Sequence, residues 1–243
     1  EEKDDFGYYW MDNKNPDPKV DYNWISVANV GTELEIYDNY YGYDDIILPS
    51  WTFPLYGMEY DTIYVSSRGL IWFEDMQPTS SYSNYPDSNE PNPSLAVCLG
   101  YPYTTYTQYG GVHYLTGTDS IGKFVAREWN SNYYGMTYEA ILWETGLIKF
   151  QYNNLGSNSG YSNGQYMSVG MEDETASTSL IYSNYGLGNL NNGLAIEIST
   201  ESTTIANFEL LDGAGEYNHT AFAELDFYEY SFSQQVLDHN QIP

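Results

Sequence analysis

The 243-residue chain carries 34 acidic residues against 7 basic ones, a formal net charge of −27. Such a polyanion repels nucleic acid and anionic lipid head groups and draws cations, which excludes nucleic-acid and membrane-surface partners. Composition also excludes disorder: 18% of the residues are aromatic (28 Tyr, 9 Phe, 6 Trp), interleaved with Ile, Val and Leu, so there is apolar material for a core.

The sequence opens Glu1-Glu2-Lys3-Asp4-Asp5, which is no signal peptide, and holds no apolar run long enough to span a bilayer. It is therefore read as the mature form of a secreted protein. Two oxygen-rich stretches follow. Asp12, Asn13, Asn15, Asp17 and Asp21 form the first, and Asp38, Asn39, Asp44 and Asp45 the second. Hard cations take carboxylate and carbonyl oxygens, so calcium is the expected cofactor, with plain solvated acidic loops as the alternative because neither stretch follows the EF-hand spacing. Residues 61–73 alternate around Ile63 and Val65 and resume at Leu70-Ile71-Trp72-Phe73 after Ser66-Ser67-Arg68-Gly69, which predicts a hairpin. A long polar loop is expected over 76–93. Cys98, the single cysteine, sits in an apolar run and is expected to be a small buried hydrophobe. Tyr101, Tyr103, Tyr106 and Tyr109, with Tyr40, Tyr41 and Tyr43, are candidates for a carbohydrate platform or a protein interface, because amphipathic rings serve both.

Strands are predicted over 123–129, 138–143, 147–152, 166–171 and 194–198, with Gly146 as a tight turn and 153–165 as a second long loop. No amphipathic helix of three turns is visible. The texture changes after 198: 203–211 reads as a strand, 212–215 as a turn and 221–232 as a long aromatic strand. The fold expected is all-β, an antiparallel, jelly-roll-like β-sandwich over 1–198. A C-terminal β extension over 199–243 would pack on the same sandwich or be exchanged with a neighbouring subunit.

Several motifs in combination point further. They include Asp5-Phe6-Gly7-Tyr8, Tyr22-Asn23-Trp24-Ile25, Ile47-Leu48-Pro49, Phe53-Pro54-Leu55-Tyr56-Gly57 and Tyr64-Val65-Ser66-Ser67-Arg68-Gly69. Later in the chain come Phe124-Val125-Ala126-Arg127-Glu128-Trp129, Tyr138-Glu139-Ala140-Ile141-Leu142-Trp143-Glu144 and Gly146-Leu147-Ile148-Lys149-Phe150-Gln151-Tyr152. Together they resemble a module of secreted bacterial and archaeal proteins related to nidogen-like extracellular domains. The resemblance implies a β-sandwich with an adhesive or accessory role and no catalysis. The sequence departs from the pattern at Arg68, where Asn usually precedes the glycine. It departs again at 99–103, where an acidic Trp-Asp-Asp run is usual.

The sharpest enzyme-like signal is Glu224-Leu225-Asp226-Phe227-Tyr228-Glu229, which resembles the catalytic strand of laminarinase-type β-glucanases. Alternation puts Glu224 and Asp226 on one face, and a bulge would add Glu229. That fold continues for many strands beyond its carboxylates, whereas this run stands near the end of the sequence, so an acidic outer face is expected instead. Gly160-Tyr161-Ser162-Asn163-Gly164 matches G-x-S-x-G but lies in a polar loop without the strand and helix that a nucleophile elbow requires. Zinc spacing is absent. Asn218-His219-Thr220 is a glycosylation sequon. The function expected is a non-catalytic extracellular structural protein that assembles with copies of itself into a filament, sheath or surface layer. The alternatives are a polysaccharide- or surface-binding adhesion module and, last, a β-glucan hydrolase.

Overall fold

The computed structural model describes residues 3–15, 20–37, 41–78, 85–100, 110–132, 134–157, 162–200, 205–211 and 218–224, the last two ranges by their main chain alone. The chain divides into two compact units, Glu1–Thr200 and Glu201–Pro243. In the first unit the elements are β1 (Tyr8–Asp12), the single turn α1 (Val27–Val30), β2 (Thr32–Glu33), β3 (Tyr43–Ile47), β4 (Phe53–Leu55), β5 (Met58–Tyr60), β6 (Thr62–Ser66), β7 (Leu70–Trp72) and β8 (Ser94–Leu99). They continue with β9 (Gly110–Thr118), β10 (Lys123–Ser131), β11 (Met136–Trp143), β12 (Ile148–Leu155), β13 (Ser168–Glu172), β14 (Ser179–Ser183) and β15 (Leu194–Thr200). The second unit holds β16 (Ile205–Leu211) and β17 (Asn218–Glu224), paired antiparallel with Phe208 opposite Ala221.

Two antiparallel sheets pack as a sandwich. One has seven strands in the order β1-β15-β12-β11-β10-β9-β2, the other six in the order β14-β13-β8-β7-β6-β3. Period-2 alternation aims Val125, Trp129, Tyr138, Leu142, Phe150 and Tyr152 inward from the larger sheet. Ile63, Val65, Ile71, Leu95, Val97 and Met171 meet them from the smaller. The predicted hairpin is β6–β7, with Tyr64 opposite Trp72. Its turn needs glycine at Gly69, where φ is +80° and a Cβ would lie 2.6 Å from the Cys98 carbonyl oxygen. Cys98 is wholly buried in the core, and burial pushes its thiol pKa up.

Three cross-strand neighbours of the larger sheet form an aromatic row: Trp129 opposite Tyr138, and Tyr138 opposite Tyr152. Trp129 and Tyr138 stack with ring centroids 5.1 Å apart. The two ends of the row reach across the sandwich. Trp129 Nε1 donates to the Ser66 carbonyl at 2.8 Å, and the Tyr152 hydroxyl donates to the Val97 carbonyl at 2.6 Å. The central hydroxyl, that of Tyr138, is buried without a hydrogen-bond partner. Beside this row Arg127 is wholly buried, none of its guanidinium nitrogens has a partner, and burial alone lowers its pKa to about 9.

These contrasts give two tests by urea denaturation. Tyr152→Phe leaves the Val97 carbonyl unpaired and is expected to cost about 1 kcal/mol, whereas Tyr138→Phe, which removes an unpaired hydroxyl, is expected to cost nothing or to stabilise. Arg127→Met removes an unpaired buried cation and is expected to stabilise the fold by on the order of 1 kcal/mol or more.

Candidate interaction surfaces

The outer face of the seven-stranded sheet is covered by the segment that runs into α1. Polar side chains on three adjacent strands hold it by its main chain. Gln151 Oε1 on β12 accepts from Asn23 N at 2.6 Å, Glu139 Oε1 on β11 accepts from Ile25 N at 3.2 Å, and Glu128 Oε2 on β10 accepts from Ala28 N at 2.9 Å. Gln151 Nε2 closes the network by donating to the Asn23 carbonyl and to Glu139 Oε1. Below the segment Val27 packs with Phe124, Ala126, Ile141 and Trp143. The outer face of the six-stranded sheet is covered in the same way. Glu172 on β13 accepts from Asp87 N at 2.8 Å and from the Ser94 hydroxyl at 3.1 Å, over Leu70, Trp72, Tyr85 and Ala96.

Burial acts on both anchors. Desolvation raises the Glu139 pKa to about 8, offset in part by the Ile25 N–H and the Gln151 amide. Desolvation raises that of Glu172 to about 7, offset by the Asp87 N–H and the Ser94 hydroxyl. Sequence reasoning quoted the strands that carry Glu139 and Gln151 without singling them out. The signal was there: a polar residue on each of several neighbouring, otherwise apolar strands marks a face that something covers.

The oxygen-rich stretches are only partly within the described residues. Asp12 is buried, and its carboxylate accepts from the Tyr182 hydroxyl at 2.7 Å and from Lys14 N at 3.0 Å. Asn15 is exposed, and Asp21 is also exposed, while Asp17 lies outside the described residues. In the second stretch Asp44 accepts from Glu35 N and Asp45 N, both at 3.0 Å, and Asp45 is exposed, while Asp38 and Asn39 lie outside. Among the described residues no three His, Cys, Asp or Glu side chains are grouped to hold a metal ion. Tyr101, Tyr103, Tyr106 and Tyr109 lie outside the described residues, as do Asp226 and Glu229. Tyr43 packs on Tyr64 and Trp72 with centroids 6.2 and 5.3 Å away. Asn218 opens β17 and Glu224 closes it.

The sheet edges are β1 and β2 in one layer and β3 and β14 in the other. On β3 the exposed Ile47 stands near Asp44 and Asp45, so this edge is guarded by charge. An acidic cleft of about 410 Å³ lies near it, lined by Glu59, Asp61, Glu74 and Asp75 with Tyr60 and Tyr64. Burial, then the nearby Glu74 and Glu174, push the Tyr60 hydroxyl up to about 12.

Residues 19–214 match the family described as NIDO related, that is, nidogen-related. The chain belongs to that family. No curated protein and no solved structure matches it. A nidogen-related domain is an extracellular protein-interaction module of a generally non-catalytic class. Among the described residues no helix is long and apolar enough to cross a membrane.

The anchors of this nidogen-related domain set a pH dependence. Both carboxyl groups bind protons more tightly folded than unfolded, where their pKa is near 4.5. Their protonation therefore adds stability that is complete below that value and is lost as pH rises through about 7 and about 8. Thermal melting is expected to fall between pH 5 and 8.5, and Glu139→Gln with Glu172→Gln is expected to flatten that fall; an equally steep fall in the double variant would contradict the assignment.

Proposed function

We propose that this nidogen-related chain is a non-catalytic extracellular structural protein that assembles with copies of itself, through strand edges and tyrosine-rich surfaces, into a filament, sheath or surface layer. The observation that supports the reading is the β16–β17 ladder. Its sheet has two strands among the described residues, so each carries one row of main-chain groups outside that ladder. A two-stranded hairpin is marginal in water, and an open strand edge is a template for another strand. On this reading 199–243 is a C-terminal extension that pairs with the edge of a neighbouring copy. A head-to-tail contact of that kind repeats into an open polymer.

Charge opposes such assembly. A net charge of −27 per copy repels over roughly 10 Å at 0.1 M salt, so cations must screen it or bind. Calcium at the acidic stretches is part of the proposal, as the hard cation that carboxylate-rich surfaces take up.

Light scattering and negative-stain microscopy of the purified chain, with calcium chloride and with chelator, test the reading. Polymers are expected with calcium or raised salt and not with chelator at low salt. Ala221→Pro, which puts a residue without an N–H in the middle of β17, is expected to abolish polymers while leaving the melting of the sandwich unchanged. A strict monomer at about 100 μM protein, a concentration at which even a Kd near 10 μM would be seen, overturns self-assembly. Glycan-array binding by that monomer would then favour the adhesion reading.

A further inference from the structure

We propose that the polar cleft at the β2 edge of the seven-stranded sheet is a binding site for a neutral sugar residue. The cleft measures about 340 Å³ and lies where α1, β2, β9 and β10 meet. That is within the ~300–1,000 Å³ range of small-ligand clefts. Its polar groups are Asn29 from α1, Glu33 from β2, His113 from β9, Asn130 from β10, and Asn132 just after it.

Strand register brings them together. Glu33 stands opposite His113, and Gly111 stands opposite Asn130. The Glu128 carboxylate fixes the main chain next to Asn29 by accepting from Ala28 N at 2.9 Å. Gly111 leaves room for the Glu33 carboxylate, which a Cβ there would push aside.

The groups are arranged for a ligand that both donates and accepts. The carboxamides of Asn29, Asn130 and Asn132 make no hydrogen bond among the described residues. Each offers two donors and an acceptor oxygen. His113 Nδ1 is buried without a hydrogen-bond partner. Burial lowers the imidazole pKa, against a smaller opposing pull from Glu33, so the ring is neutral at neutral pH, with one donor and one acceptor nitrogen. Glu33 adds an acceptor-only group. Neighbouring hydroxyls on a sugar ring, each donor and acceptor at once, match this set.

Other ligands match it less well. Glu33 and the net charge of −27 repel anions. An apolar ligand would find little beyond the methyl group of Ala28. The described residues hold no metal-ligating group of three. A cation would meet one carboxylate among neutral groups, since Glu128 is already engaged by the strap. The cleft is lined by residues of the first unit alone, and the sugar titration and the polymer assay are separate readouts, so the two readings fail separately.

Saturation-transfer NMR of the full chain tests the site with methyl α-glucoside, methyl α-mannoside, methyl β-galactoside and N-acetylglucosamine at about 10 mM, a concentration that detects millimolar Kd. At least one sugar is expected to show transfer. Asn130→Ala and Asn132→Ala are each expected to weaken its Kd by roughly fivefold, the loss of one hydrogen bond, with melting curves like the parent's. His113→Gln, which keeps a donor and an acceptor, is expected to retain binding better than His113→Ala. Absence of transfer from all four sugars, affinity unchanged in the asparagine variants, or a cleft that responds to calcium chloride or methylammonium but to no sugar would each overturn the proposal.

Discussion

The sandwich rests on the way three aromatic residues join its layers. Trp129, Tyr138 and Tyr152 form a row across three strands of one sheet, and the polar tips at its two ends bond to main-chain carbonyls of the other. A ring gives broad apolar contact, and its one polar atom demands a partner once buried. Satisfying that demand on the facing sheet sets the relative placement of the layers, which dispersion and burial alone would leave free to slide. The Tyr152 hydroxyl shows how a hydroxyl-bearing ring becomes compatible with a dry core. Tyr138 and Arg127 are exceptions, polar groups carried inward by strand alternation with no partner to meet them.

The same principle, turned outward, finishes the two layers. Each sheet would expose apolar side chains on its solvent face, and each is covered by irregular chain whose N–H groups need acceptors. Glu139 with Gln151 and Glu128 supplies them on one face and Glu172 on the other. Carboxyl groups serve because a strongly acidic sequence has many of them. Burial then holds Glu139 and Glu172 near neutral pKa, so the covers are tied to proton concentration in a way that surface carboxylates are not.

The molecule belongs to the nidogen-related family and its sequence is rich in carboxylates and tyrosine. Domains of this family are protein-interaction modules. What the molecule meets is decided at its edges and clefts. The charged β3 edge discourages indiscriminate strand pairing, the cleft beside it is acidic, and the cleft at β2 gathers asparagine carboxamides, an imidazole and one carboxylate. These are separate surfaces with separate chemistry, and each follows from which strand end or edge carries it.

Local pattern alone made much of the fold legible. Runs of β-branched and aromatic residues of strand length, bounded by turn residues, marked β6, β7, β10, β11, β12, β13 and β15, because a strand buried in a sandwich needs apolar side chains over a short span. Local pattern did not reveal β9, where Gly110, Gly111 and Gly117 dilute it, or the acidic β3. Pairing order was beyond its reach: β1 lies beside β15, and Glu33 beside His113, because chain segments remote in sequence close the same ladder. The straps and the β2 cleft belong to that second class. Residue types and their alternation are properties of neighbours along the chain. Whether a carboxyl group is buried under a passing loop or open in a cleft is decided only when the sheets have formed and set distant residues side by side.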